Sequence, residues 1–116
     1  MRGETRTALP GSTEEAQRIA SILAGNSHEF RDLIRPCERS AHGLALSMLK
    51  NEADAEDVVQ KAFLKAFRSL RGFRAESKFS TWLLSITLNE ARNRLRRINA
   101  VKMESLDEPS GGAVAP

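Results

Sequence analysis

The feature that most constrains the fold is an unbroken helical repeat of apolar residues in the middle of the chain. Ala55, Val58, Val59, Ala62, Phe63, Ala66, Phe67 and Leu70 follow one another at spacings of three and four. On an α-helix that spacing gathers them on one face. Asp54 is the expected N-cap, and Glu56 and Asp57 in the first turn suit the positive end of the helix dipole.

Weaker copies of the same pattern flank this helix. Ser12 with Glu15 forms a capping-box signature, and a short helix to about Ala24 buries Ala16, Ile19, Ala20 and Leu23 before Gly25-Asn26 ends it. Asn26 with Glu29 offers a second capping box. The next helix carries Phe30, Ile34, Cys37, Ala41, Leu44 and Met48 on its buried stripe, with a kink expected at Pro36, which lacks an N–H and crowds the carbonyl of Asp32. Asn51 to Ala53 form a break. A loop from Arg71 to Phe79 follows the central helix. Ser80 or Thr81 then caps a last helix with the stripe Leu84, Leu88, Ala91, Leu95 and Ile98. The pattern stops after Lys102. The expected architecture is an all-α small helical bundle of three main helices plus a short N-terminal one. Residues 1–11 read as a flexible leader, 12–102 as the domain, and 103–116, with Pro109-Ser110-Gly111-Gly112, as a linker toward something longer.

Composition removes several classes of function. A single cysteine, Cys37, permits no intrachain disulfide and fits a reducing cytoplasm. No apolar run approaches the roughly 20 residues that span a bilayer, so membrane insertion is not expected, and no apolar h-region follows the N-terminus. His28 and His42 stand alone, and neither metal-ligand spacing nor a glycine-rich phosphate loop occurs. No catalytic residue, metal or cofactor is expected.

Charge is segregated. Asn51 to Gln60 holds four acids and no base, whereas Lys61 to Lys102 holds eleven Lys and Arg against Glu76 and Glu90, a net +9. Two surfaces of opposite character follow, the second suited to a polyanion. On the central helix Asp57, Gln60, Lys61 and Leu64 lie opposite the apolar stripe; an exposed Leu is by itself ordinary. The loop sets Arg74, Glu76, Ser77 and Lys78 between Phe73 and Phe79, the residue types that hold an unpaired base. The two rings are expected to plug the bundle, with Phe79 packing on Leu83. On the last helix Ser85, Asn89, Arg92 and Arg96 share one face. Asn has a donor and an acceptor for a base edge, and Arg suits phosphate. Trp82 falls on the core side.

The parts, in this order, resemble region 2 of a bacterial extracytoplasmic-function sigma factor of the sigma-70 family. The residues that carry the resemblance are Asp54-Ala55-Glu56-Asp57-Val58-Val59-Gln60-Lys61-Ala62-Phe63, then Thr81-Trp82-Leu83 with Asn89, then Arg96-Arg97, within a span from Phe30 to Arg97. The resemblance implies a domain for bacterial transcription initiation. Asp54, Glu56, Asp57, Gln60, Lys61 and Leu64 would dock on the β′ clamp helices of core RNA polymerase. Arg71, Arg74, Ala75, Glu76, Ser77 and Lys78, with Ser85, Asn89, Arg92, Asn93, Arg96 and Arg97, would contact promoter DNA and hold an unpaired base of the minus-ten non-template strand. It also implies an anti-sigma factor as partner. The chain departs from the family at Leu84, where an aromatic is frequent, at His42, where Tyr is, and at Thr87, where a small residue is usual; no helix-turn-helix region 4 follows the linker. Two other readings of the residues stay open: a basic module for duplex DNA, and an interaction bundle without a nucleic-acid role.

Overall fold

The structure is a computed structural model and describes residues 13–107. It is all-α, with no strand among the described residues. Helix α1 (Thr13–Leu23) leads through a 3-10 turn at Ser27–Glu29 to α2 (Phe30–Ile34). A second 3-10 turn, Arg35–Cys37, joins α2 to α3 (Glu38–Leu49). Helix α4 (Glu52–Arg68) ends in a third such turn at Leu70–Gly72, and α5 runs from Phe79 to Asp107. Helices α3, α4 and α5 pack pairwise on one another, and α1 packs on α2 and the turn before it.

The breaks between helices have local causes. Pro36 sits in the 3-10 turn, so the kink expected there is a full interruption between α2 and α3. Gly25, at φ 124°, lets the end of α1 reverse; its N–H donates to Ile22 O at 3.0 Å and that of Asn26 to Ser21 O at 3.1 Å. These two bonds make a Schellman ending. Lys50 ends α3 in the left-handed region at φ 57°.

Capping differs from the sequence expectation at three places. Asn51, not Asp54, caps α4: its Oδ1 accepts from Asp54 N–H at 2.9 Å, and the helix already includes Glu52 and Ala53. Asn26 and Glu29 form no capping box. Instead Asn26 donates to Ser21 Oγ at 2.9 Å, and Ser21 donates to Glu29 Oε2 at 2.7 Å. Helix α5 begins at Phe79, ahead of Ser80 and Thr81, and the N–H of Phe79 donates to Glu15 Oε2 at 2.9 Å. That acceptor comes from α1, so the first turn of α5 is tied to the other end of the sequence. Ser12, the proposed partner of Glu15, lies outside the described residues.

The core has two parts. At one end Ile19, Ile22, Phe30, Leu33, Cys37, Ala66, Leu70, Phe79 and Leu83 are buried together. At the other, Ala41, Ala45, Leu49, Ala55, Val58, Val59 and Ala91 let α3, α4 and α5 approach on small side chains. Phe63 packs against both. The sequence stripes are rotated by about one position in three helices. Ile22 replaces Ala16 and Ala20, which are exposed; Leu33, Ala45 and Leu49 are buried where Ile34, Leu44 and Met48 are half-buried; and Leu83 and Thr87 are buried where Leu84 and Leu88 are half-buried. Thr87 satisfies its buried hydroxyl by donating to Leu83 O at 3.0 Å. Helix α5 continues past Lys102 to Asp107, and its last turns expose Val101 and Met103.

Candidate functional site

The polar face of α4 is built around Asp57. The side chains of Asp54 and Asp57 lie one turn apart and both accept from one guanidinium on α5. Arg94 Nη1 donates to Asp54 Oδ1 at 2.7 Å, and Arg94 Nη2 donates to Asp57 Oδ2. Lys61, one turn further along α4, reaches the same Asp57 Oδ2 at 3.2 Å. The hydrogen bond from Lys61 holds the Asp57 carboxyl below its usual range; desolvation opposes it, and the hydrogen bond from Arg94 and the charges of both cations add smaller downward pulls. The stability that Asp57 contributes is therefore present above the ordinary carboxylate pKa and is lost only as pH falls through its lowered value. A second tie, from Lys65 to Glu90, crosses the same α4–α5 seam.

Arg94 was not among the residues that sequence reasoning singled out. It counted only as one more cation in the basic span. Its spacing gave the signal: Arg94 lies two residues from both Arg92 and Arg96, about 200° around the helix from each, and so falls beside the buried stripe.

Beyond Asp57 the face is open. Glu56, Gln60 and Lys61 are exposed, and Leu64 is 48% exposed. Phe67 joins them at 40% exposure, although its spacing fits the apolar stripe. Gln60, Leu64 and Phe67 are four and three residues apart, so they share one strip of the helix. Phe67 keeps one side against Phe30, with ring centroids 5.1 Å apart and nearly perpendicular. The strip is thus apolar over one turn, from Leu64 to Phe67, with an amide beside it and charge at its rim, a composition suited to a protein partner.

The loop between α4 and α5 is pinned at both ends by rings. Phe79 is buried, and its centroid lies 5.9 Å from that of Phe73 and 5.6 Å from that of Trp82; Phe73 lies 5.1 Å from Trp82. The expectation that Phe73 and Phe79 plug the bundle, and that Trp82 packs on the core, agrees with this cluster. Arg74, Ala75, Glu76 and Lys78 are exposed and Ser77 is half-buried. Ala75 adopts φ 59°, a left-handed conformation that costs a non-glycine residue about 1–2 kcal/mol. The strain sits within the segment expected to hold a base. Arg71 is exposed in the 3-10 turn before it.

On α5, Ser85, Asn89, Arg92 and Arg96 form one exposed stripe. Ser85 donates to Trp82 O at 2.6 Å, which leaves its hydroxyl oxygen as an acceptor. Arg96 donates to Asn93 Oδ1, so Asn93 orients an arginine within the helix. Asn89, Arg92 and Arg97 make no side-chain hydrogen bond or ion pair among the described residues. Asn89 therefore keeps its donor and acceptor open, and the two guanidinium groups keep their donors open.

Other polar groups have structural partners. His42 Nε2 lies 3.2 Å from Glu52 Oε1, bridging α3 to the start of α4. Cys37 is buried, and burial, followed by Glu15 and Glu38, pushes its thiol pKa up, which disfavours the reactive thiolate. Among the described residues no cluster of His, Cys, Asp and Glu could hold a metal ion, and no helix is long and apolar enough to cross a membrane.

Comparison with known proteins places this geometry in a family. The family model described as sigma-70 region 2 matches residues 33–100, offset by three residues from the span identified by its motifs. The chain is 44% identical over 105 residues to the ECF RNA polymerase sigma-E factor of Escherichia coli strain K12, covering 83% of this chain and 53% of that protein. It is 34% identical over 94 residues to the ECF RNA polymerase sigma factor SigM of Mycobacterium tuberculosis H37Rv, covering 81% and 48%. Against the RNA polymerase sigma-H factor of Pseudomonas aeruginosa it is 34% identical over 82 residues, covering 71% and 42%. The chain thus spans about half the length of the curated relatives it matches. The match covers α3, α4, the loop and most of α5, and on that basis the chain belongs to the sigma-70 region 2 family, alongside extracytoplasmic-function sigma factors.

Proposed function

We propose that this chain is the promoter-reading and polymerase-docking part of a transcription initiation factor. The α4 strip Gln60, Leu64 and Phe67, with Asp54, Glu56, Asp57 and Lys61 around it, docks on the β′ clamp helices of core RNA polymerase. Asn89 reads a base edge of the minus-ten element while Arg92, Arg96 and Arg97 hold phosphates. Arg71 and the segment 74–78 enclose the next base of the non-template strand once it is unstacked. The observation that carries this reading is the division of labour on α5. Asn89 and Arg92 have no side-chain partner among the described residues and lie on an exposed stripe, and that stripe directly follows a loop anchored by three aromatic rings.

The chemistry is recognition rather than catalysis. A base flipped from a duplex costs a few kcal/mol of unstacking, which a loop can offset only if it is already shaped. Ring anchoring of Phe73 and Phe79 supplies that shape. Arginine contacts to phosphate position the strand and carry no sequence information, whereas a bidentate amide contact is worth about 1–3 kcal/mol of discrimination. An anti-sigma factor as partner and a cytoplasmic site of action belong to the same reading.

Binding of the chain to core RNA polymerase tests it. Gln60→Ala combined with Leu64→Ala is expected to weaken binding more than tenfold with helix content unchanged, in line with the roughly 2 kcal/mol or more lost when a central interface residue is truncated. Wild-type affinity in the folded double variant removes the docking face. A preference for random duplex over a minus-ten-like single strand favours a general DNA-binding module instead.

A further inference from the structure

We propose that Arg94 is a positioning residue of the docking face: from α5 it fixes Asp54 and Asp57 on α4 and so aims Asp57 at the polymerase. The inference rests on the reading that α4 docks, and it assigns a role in docking to a residue outside the docking helix.

Three observations carry it. Arg94 belongs by sequence to the basic end of α5, yet its side chain is only 16% exposed and lies against α4. Its two terminal nitrogens serve two different carboxylates, Asp54 and Asp57, one helical turn apart. A planar guanidinium suits that fork, and a lysine ammonium has no second donor group at the required separation. Finally, Arg94 and Lys61 both bind Oδ2 of Asp57, and no bond reaches its Oδ1 among the described residues. One carboxylate oxygen is thus held from below while the other stays available.

The physical consequence is preorganisation. A half-exposed aspartate on an isolated helix would sample several rotamers, and ordering it on binding costs free energy. Held by Arg94, it meets its partner already ordered. The brace also crosses between the helix that docks and the helix that reads bases. With the Lys65–Glu90 tie one turn away on α5, it sets the angle between Leu64 and Asn89. Arg94 is therefore separated in function from Arg92 and Arg96, although all three lie within five residues.

The test uses the full 116-residue chain and core RNA polymerase. Arg94→Ala is expected to weaken binding about tenfold, and Arg94→Lys about threefold to fivefold, because the lysine keeps the charge and loses the fork. Asp57→Ala is expected to weaken it comparably, and adding Arg94→Ala to Asp57→Ala should change affinity less than twofold further. Binding of the free chain to single-stranded DNA should keep its wild-type salt dependence in Arg94→Ala, an outcome that a phosphate-contacting arginine would not give. Should Arg94→Ala fail to fold, Arg94→Lys carries the same cycle with Asp57→Ala. Full additivity in the double variant overturns the inference, as does wild-type affinity in Arg94→Lys. The Gln60→Ala, Leu64→Ala variant keeps the two levels apart. If it loses affinity while the Arg94 variants do not, only the positioning role fails. If it too binds like wild type, the docking reading has failed and the positioning role goes with it.

Discussion

The polar face of α4 and the polar stripe of α5 both carry several charged side chains, yet the fold uses them in opposite ways. On α4 the acids Asp54 and Asp57 are held by Arg94, and Asp57 also by Lys61. What stays open there is an apolar strip, Leu64 and Phe67, beside the amide of Gln60. On α5 the order reverses: between Leu83 and Ile98 the apolar residues are turned in, and Asn89, Arg92 and Arg97 have no side-chain partner among the described residues. Paired charge fixes geometry, and exposed unpaired charge is available to a ligand. The first surface suits a protein that brings its own apolar groove; the second suits a polyanion whose counterions are released on binding. A count of charges along the chain cannot make this distinction, because Arg92 and Arg94 are equal in it.

The comparison is broken most severely at the aromatic cluster that joins the two regions. Phe79 is buried, donates its N–H to Glu15 and touches the rings of Phe30, Phe73 and Trp82. Phe79→Ala is expected to cost about 3–5 kcal/mol in urea unfolding. In whatever fraction stays folded, loop-dependent base capture should fall before polymerase docking does. A loss below about 1 kcal/mol would mean that the loop is not held by this ring.

A smaller effect sharpens the contrast between a braced helix and a strained loop. Ala75 sits at φ 59°, where glycine is relieved of the Cβ penalty but loses more chain entropy on folding. Ala75→Gly should therefore stabilise the domain by roughly 0.5–1 kcal/mol. If the strain serves base capture, affinity for a minus-ten single strand should not rise with stability. Unchanged or lowered stability would remove the strain argument.

The sequence made some of this legible and hid the rest for identifiable reasons. The α4 stripe, the interruption at Pro36 and the inward turn of Phe73 and Phe79 follow from local chemistry, and local chemistry is visible in a one-dimensional pattern. The N-cap of α4 was missed because Asn51 and Asp54 are both good caps, and the Asn51 side chain reaches forward to the Asp54 N–H. The cap of α5 was out of reach, since Glu15 is 64 residues away. Buried stripes shifted by a residue because α3 and α5 turn alanine and threonine inward, and small or polar residues weigh little in an apolar count. Phe67 fits the buried spacing and is still 40% exposed, because it lies in the last turn of α4, where the ring of Phe30 packs on one side of it. Among the candidate site residues the α5 stripe was readable from spacing alone. The internal pairing of Asp54 and Asp57 was not, because it depends on how α4 and α5 meet.

The central claim is that docking and base reading sit on separate faces. A panel of single-base variants of a minus-ten strand, presented to the chain bound to core polymerase, tests it most directly. Asn89→Ala should flatten preference at one position, a loss of about 1–3 kcal/mol of discrimination, with polymerase affinity unchanged. Arg92→Ala should weaken every strand alike and reduce the salt slope by about 0.7. A wild-type preference profile in Asn89→Ala, or loss of polymerase binding with it, would contradict the account.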